Sequence, residues 1–426
     1  MRIRNGLVAL CRIALALVFI FSGFVKAVDP WGTAIKLGEY FHAFGMDALS
    51  GGRYAFSILL SSAEMLLGFC LLFRFGFVRR SLPGLMLIVV GFFTLLTLVL
   101  ALWNPVSDCG CFGDAVKLTN WQTFYKNLIL LLLAVVVWFG SYRKKECWDW
   151  NPDVPEHDSG HLIEWSLGLL FLLFSLGVGL YSLRHLPLID FLPFKAGVNL
   201  AVQGNKSGTD LVTTLIYKDK TTGQNHEFSL SDTTWYDSTR WEFVDTRFVE
   251  RAEPSGGETD PALAEFSIFN AQGDRTAELL ARPQEWLLVT LTDPAELSGS
   301  CRDKLADAAD YALARGVLMI GVTPVALADS VLSLGARHIP LYNLDGTTLK
   351  SLIRAHQGLV VIKEGTILAK WNCRDIPDLN GENAEQSILS LVAAHAVQVN
   401  ISWLLGVCGV VLVLLYAVYF IHRRHV

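Results

Sequence analysis

LPGLMLIVVGFFTLLTLVLALW (82–103) carries no charged residue; NPVSDCGCFGD (104–114) follows it directly, and NWQTFYKNLILLLLAVVVWFG (120–140) comes soon after. A membrane-crossing helix needs about 20 mostly apolar residues. The segment therefore predicts two spans joined by a short loop that holds two cysteines. Working outward, 7–26, 54–73, 165–183 and 402–421 pass the same test, with 82–103 and 121–140 already counted. The pattern predicts a membrane α-helical bundle of six transmembrane helices. Composition agrees. Of 426 residues 52% are hydrophobic and 18% charged, with a net charge of −5. Such a chain is too apolar to be disordered, and it lacks the basic footprint that nucleic-acid binding requires.

Lys and Arg in the short connections set the orientation. With the N-terminus inside, Arg2, Arg4, Arg74, Arg79, Arg80, Arg143, Lys144, Lys145, Arg423 and Arg424 face the cytoplasm, and only Lys26, Lys36, Arg53 and Lys117 lie outside. Both termini are then expected in the cytoplasm, and residues 185–401 are expected to be extracytoplasmic. The aromatic, charged segment 31–45 reads either as a short helix in the outer interface or as part of an aromatic belt.

The compartments sort the eight cysteines. Cys11, Cys70 and Cys408 fall in spans as packing residues, and Cys147 falls on the reducing side. Cys109, Cys111, Cys301 and Cys373 remain outside. Two thiols separated by one glycine can close a small, strained disulfide ring of the exchanging kind. Asp108 and Asp114 raise rather than lower a thiol pKa, so a static turn or structural disulfide stays open beside redox chemistry. Metal binding lacks further nearby ligands. Within the membrane, Arg12 and Glu64 are the charges that stand out. Such charges usually face each other or a polar cavity, so Arg12–Glu64 is expected to be either a structural ion pair or a polar lining.

Arg12 with FIFSGFVKAVDP (19–30), Glu64 in SSAEMLLGFCLLF, and DCGCFGD before NWQTFYKN together resemble the DoxX/MauE family of four-helix membrane proteins over about residues 1–140. The resemblance implies that Cys109 and Cys111 are a catalytic redox pair in disulfide formation. It implies exported thiol-containing proteins or another envelope protein as partners, a possible quinone cofactor, and a bacterial inner membrane.

After a cytoplasmic loop (141–162) and a fifth span (163–184), residues 185–262 read as β-rich. Residues 263–395 run strand (285–293), helix (299–315), strand, helix (326–336), a helical stretch (347–355) and a hairpin (358–372) turning at Glu364-Gly365. That order resembles the thioredoxin-like fold. It departs from the fold's usual site, having no Cys-x-x-Cys and Gln357-Gly358 in place of a proline. Such an arrangement places Cys301 and Cys373 at one end of the sheet, as a structural disulfide, an exchange partner for Cys109 and Cys111, or free thiols. The functional expectation is a membrane thiol–disulfide protein. The alternative is a non-catalytic envelope scaffold or assembly factor.

Overall fold

The computed structural model describes residues 2–73, 81–106, 108–142, 159–200, 211–220, 225–229, 241–250, 263, 266–325, 331–379 and 388–392, with single positions 406 and 409. The sixth expected span (402–421), most of the loop 141–162, Cys147 and Cys408 lie outside the described residues.

Five described helices are long and apolar enough to cross a membrane. They are α1 (Arg2–Val28), α3 (Arg53–Phe73), α4 (Leu82–Trp103), α5 (Asn120–Tyr142) and α6 (Ser159–Arg184). A shorter helix, α2 (Pro30–Ala43), sits between α1 and α3 in the chain. Proline opens α2, and the Asp29 side chain caps it by accepting from the Gly32 N–H at 2.8 Å; both are favoured starts for a helix. The segment 31–45 is thus helical through Ala43. It is no free surface helix, because Trp31, Ala34 and Phe41 are buried and the helix packs on α3.

Small residues decide how α1 and α3 meet. A Cβ on Gly23 would lie 2.6 Å from the Met65 backbone N, and one on Gly68 would lie 2.8 Å from the Ile20 backbone N. The two helices therefore approach backbone to backbone, the usual device of membrane helices that lack a hydrophobic drive to associate. α4 packs on α5, and α5 on α1. The outward faces stay apolar: Ile88, Phe92 and Leu95 on α4 are all more than half exposed, a surface suited to lipid. The fifth span is not isolated from the first four. α6 packs on both α1 and α3, stacking Phe171 on Phe69 at 3.8 Å and donating from Ser175 Oγ to Ser62 Oγ at 3.2 Å.

Two sheets follow. β1 (Leu211–Asp219), β2 (Asn225–Ser229) and β3 (Trp241–Glu250) form an antiparallel sheet in the order β2-β1-β3. The larger, mixed sheet has the order β11-β10-β6-β7-β9-β4-β5, with β8 paired to β9. Its centre is β6 (Trp286–Leu291), buried at every position and parallel to β7 (Leu318–Thr323), which is parallel to β9 (Arg337–Leu344). On the other side β10 (Gln357–Lys363) runs antiparallel to β6, and β11 (Thr366–Asn372) closes the hairpin through Glu364 and Gly365, both at positive φ. β4 (Ile268–Asn270) and β5 (Gly273–Asp274) form the far edge.

Helix α8 (Gly299–Arg315) covers one face of this sheet. It starts at the Ser298 cap and stops at left-handed Gly316. Helices α7 (Thr276–Leu280) and α9 (Gly346–Leu352) lie on the other face, together with Phe194 and Leu200. Residues 192–200 therefore contribute to this domain's core. The second face needs their apolar side chains to be covered. Of the helix expected over 326–336, residues 326–330 lie outside the described residues, and the later part is corrected: Val331–Leu334 is β8, whose alternating exposed and buried residues fit a period of two.

Candidate functional site

The close fit of α1 against α3 sets the register of their polar residues. Gly23 lies level with Ser61 and Met65, and Gly68 with Ala16 and Ile20. Glu64 is therefore level with Ser22 and Lys26, four residues apart on one face of α1. Lys26 Nζ reaches Glu64 Oε2 at 2.7 Å, and both side chains are buried. Arg12 does not pair with Glu64. It lies ten residues before Ser22 on the same helix, a rise of about 15 Å toward the far end of the bundle, and its buried Nε has no hydrogen-bond partner among the described residues.

The Lys26 ammonium donates three times: to Ser22 Oγ at 2.7 Å, to Glu64 Oε2 at 2.7 Å and to the Cys111 carbonyl oxygen at 2.6 Å. Ser22 Oγ lies 2.8 Å from both Glu64 Oε2 and the Cys111 carbonyl oxygen, and its one hydrogen serves either. The buried ion pair thus anchors the cysteine loop to the bundle. A quinone carbonyl finds no unspent donor on Lys26, and the described network offers it no site.

The loop (104–119) begins where Asn104, in the left-handed region, ends α4 ahead of Pro105. Asn120 at the start of α5 donates to Asn104 Oδ1 at 2.7 Å and to the Val106 carbonyl at 2.8 Å, closing the loop at its base. Gly110 and Gly113 have φ of +61° and +53°, a backbone that residues with a Cβ adopt at a cost. Those two turns bring the thiols together, with Cys109 Sγ 2.7 Å from Cys111 Sγ. Both residues are part-exposed. On the α2 side, Tyr40 donates to the Cys109 carbonyl at 3.0 Å, and Lys36 pairs with Asp108 at 3.3 Å.

The two sulfurs are not electrostatically alike. Cys111 is lowered from 9.0 to about 6, first by the hydrogen bond from the Cys109 thiol and then by the charges of Lys126 and Lys26, against the effect of burial. Cys109 moves the other way, because it keeps the shared proton and is itself buried. Lys126 Nζ sits 4.2 Å over the Phe112 ring, so α5 supplies a cation beside the loop. The flanking aspartates are both paired, Asp108 with Lys36 and Asp114 with Arg354 of the sheet domain. The cations that favour the thiolate come from the flanking helices, Lys126 of α5 and Lys26 of α1, whereas the charges adjoining the two cysteines in the loop are the acids Asp108 and Asp114.

Cys301, in the first turn of α8, and Cys373, just after β11, are joined in a disulfide with a Cα–Cα distance of 5.6 Å. Both are buried in the same apolar cluster, at 5% and 2% exposure. Cys11 and Cys70 are buried inside the bundle.

Sequence reading missed Lys26, Ser22, Tyr40, Lys126 and Arg354. For two of them the signal was present: Ser22 and Lys26 are four apart and share a helix face, in a segment already singled out. Arg354 gave no local sign, since its partners are 325 and 240 positions away.

Fold and site together define a polytopic helical membrane protein with a dithiol loop at the end of its bundle that faces a folded sheet domain. Residues 4–140 match the family model of Methylamine utilisation protein MauE, which covers α1 to α5 and the cysteine loop. No curated protein and no solved structure matches the chain.

Proposed function

We propose that this chain is a membrane thiol–disulfide exchange protein acting on exported thiol-containing proteins, with Cys111 as the attacking sulfur and Cys109 as the resolving one. The observation that carries this reading is the geometry of the pair: two thiols 2.7 Å apart, one lowered to about 6. The thiolate is the nucleophile in such exchange, and the best attacker titrates near ambient pH.

In the reducing direction, Cys111 thiolate attacks one sulfur of a client disulfide. A mixed disulfide forms and a client thiolate leaves, taking a proton. The Cys109 thiol then loses its proton and attacks the Cys111 sulfur. The second client thiolate departs, and the Cys109–Cys111 disulfide remains. Two electrons have passed to the client. The same steps in reverse oxidise a client dithiol. Ser22, Lys26 and Glu64 are positioning residues: they fix the Cys111 backbone and hold positive charge beside it. No step runs through a quinone.

The charge bias of the loops supports residues 185–401 lying outside the cytoplasm, and the match to the MauE family model supports a bacterial inner membrane. The parallel β6 and β7, the crossing helix α8 and the antiparallel β10–β11 hairpin support a thioredoxin-like reading of the larger sheet. That domain has no described dithiol of its own, and its two cysteines are spent on a buried disulfide. Its part is therefore to bind or cover rather than to exchange.

The test is trapping in membranes. Cys109→Ser should accumulate mixed disulfides through Cys111, seen as thiol-sensitive adducts on non-reducing gels, and Cys111→Ser should form none. If neither variant differs from the parent in adducts or in exchange with glutathione disulfide, the scaffold reading replaces this one.

A further inference from the structure

The bundle and the sheet domain meet through single residues rather than along packed elements. Trp31 of α2 stacks edge-on against His356 at 4.6 Å, and His185 at the end of α6 contacts Asp375 at 2.7 Å. Between the two bodies lies a cavity of about 540 Å³, walled by Arg53, Tyr54 and Glu39 on one side and by Glu296, Lys350 and His356 on the other. Among the described contacts that cross this interface, one is a buried ion-pair cluster.

That contact is Arg354, just after α9 and only 6% exposed. All three of its nitrogens donate: Nε to Asp29 Oδ2 at 3.0 Å, Nη1 to the Lys350 carbonyl at 2.8 Å, and Nη2 to Asp114 Oδ2. Asp29 at the same time caps α2. Asp114 closes the cysteine loop, three residues after Cys111, with the left-handed Gly113 between them. Gly32 leaves the room this cluster needs. A Cβ there would lie 2.6 Å from Asp29 Oδ2, and 3.1 Å from both Arg354 Nη2 and Asp114 Oδ2. Beside the loop, a recess walled by the loop itself and the start of α5, Cys111, Gly110 and Phe112 among its residues, measures about 10 Å³. That admits one water but no polypeptide.

We propose that Arg354 is a clasp that holds the sheet domain over the cysteine loop, and that its release opens Cys111 to a client polypeptide. Bidentate use of one guanidinium by two carboxylates suits it to this task, because it is directional as well as charged. Asp114 belongs to the same short loop as the thiols, so the coupling runs both ways. When a client disulfide oxidises the pair, two electrons and the one proton held by Cys109 leave it and the two sulfurs join, three residues from the carboxylate that Arg354 holds. Only the identity of the client rests on the exchange reading; the shielding does not.

The experiment uses the full chain in lipid nanodiscs after mild reduction. The probe is a bulky polyethylene-glycol maleimide, and labelling is followed by mass spectrometry at the peptide bearing Cys109 and Cys111. Arg354→Gln and Gly32→Ala should each speed labelling by at least about tenfold, the kinetic trace of a more often open interface. Gly32→Ala approaches from the bundle side without changing any charge, so it stands if Arg354→Gln disturbs folding. Arg337→Gln breaks a surface pair with Asp310 in the same domain and should change nothing. Parental labelling rates in both clasp variants, with the sheet domain still protease-resistant, overturn the clasp. Glutathione disulfide separates the two proposals. Faster labelling without any exchange removes the exchange reading and keeps the clasp. Parental labelling in both clasp variants, with exchange intact, does the reverse.

Discussion

The chain holds two pairs of extramembrane cysteines whose surroundings are opposite. Cys301 and Cys373 lie inside an apolar cluster and join two segments of one domain that are 72 positions apart. Cys109 and Cys111 lie in a loop of sixteen residues (104–119) with two left-handed glycines, a paired aspartate on either side, and lysines from α1 and α5 nearby. The first pair is set in hydrocarbon, where a thiolate is costly and a disulfide costs nothing electrostatically. The second is set among charges that favour a thiolate. Cysteine count and compartment group the four together, and packing separates them into a staple and a reactive pair.

The largest effect should come from the staple. The two half-cystines are 72 positions apart, and a loop of that size gives a disulfide worth about 4 kcal/mol in the chain-entropy account. Cys301→Ala with Cys373→Ala should therefore lower the melting temperature of the sheet domain sharply and expose it to protease. Cys109→Ser with Cys111→Ser should leave that melting unchanged. Equal melting of all variants would erase the distinction between the two pairs.

Next in size is the anchor under the reactive pair. Lys26→Met leaves Glu64 buried without its cation, a loss of about 3 kcal/mol, and frees the Cys111 carbonyl. Bundle stability in detergent should fall. Lys26→Met with Glu64→Gln should recover part of it, because the orphaned charge is gone. Exchange activity should not recover with it, since the cation beside Cys111 is still missing. Recovery of both would reduce Lys26 to a packing role.

The pH profile of alkylation gives a smaller but sharper test. Cys111, lowered to about 6, is thiolate above that pH and loses reactivity as pH falls through it. An ordinary thiol at 9.0 would still be gaining reactivity at pH 8. Labelling should therefore reach a plateau by neutral pH. Lys126→Gln should push the midpoint upward, because it removes one of the charges that favour the thiolate. A profile still rising steeply at pH 8 in the parent would place Cys111 with the inert cysteines.

These contrasts also show what the sequence exposes. The spans that the structure describes were visible as apolar runs, because lipid imposes their length. The helix at 299–315 and the hairpin turn at Glu364-Gly365 were visible because caps and turn residues are local. β8 was hidden by the short stretch 331–334, where helix and strand patterns are hard to separate. The polar partners were hidden for another reason. Which charge on α1 meets Glu64 depends on the register of two helices, and Gly23 and Gly68 set that register through backbone contact rather than through any charge pattern.

Arg12 tests that register directly, and its effect should be the smallest. Among the described residues it has no anionic partner, and Glu64 is already paired with Lys26. Arg12→Gln should then cost less than about 0.5 kcal/mol, the range of a substitution that breaks no buried contact. The informative quantity is the coupling. A double-mutant cycle between Arg12 and Glu64 should give almost none, and one between Lys26 and Glu64 a large value, because only residues in contact are non-additive. If the two values were exchanged, α1 would have to slide by ten residues against α3. Gly23 and Gly68 would then lose the close approach that only they permit, and the cysteine loop would lose the lysine that holds it. The cycle therefore tests the register, the anchor and the reactive pair together.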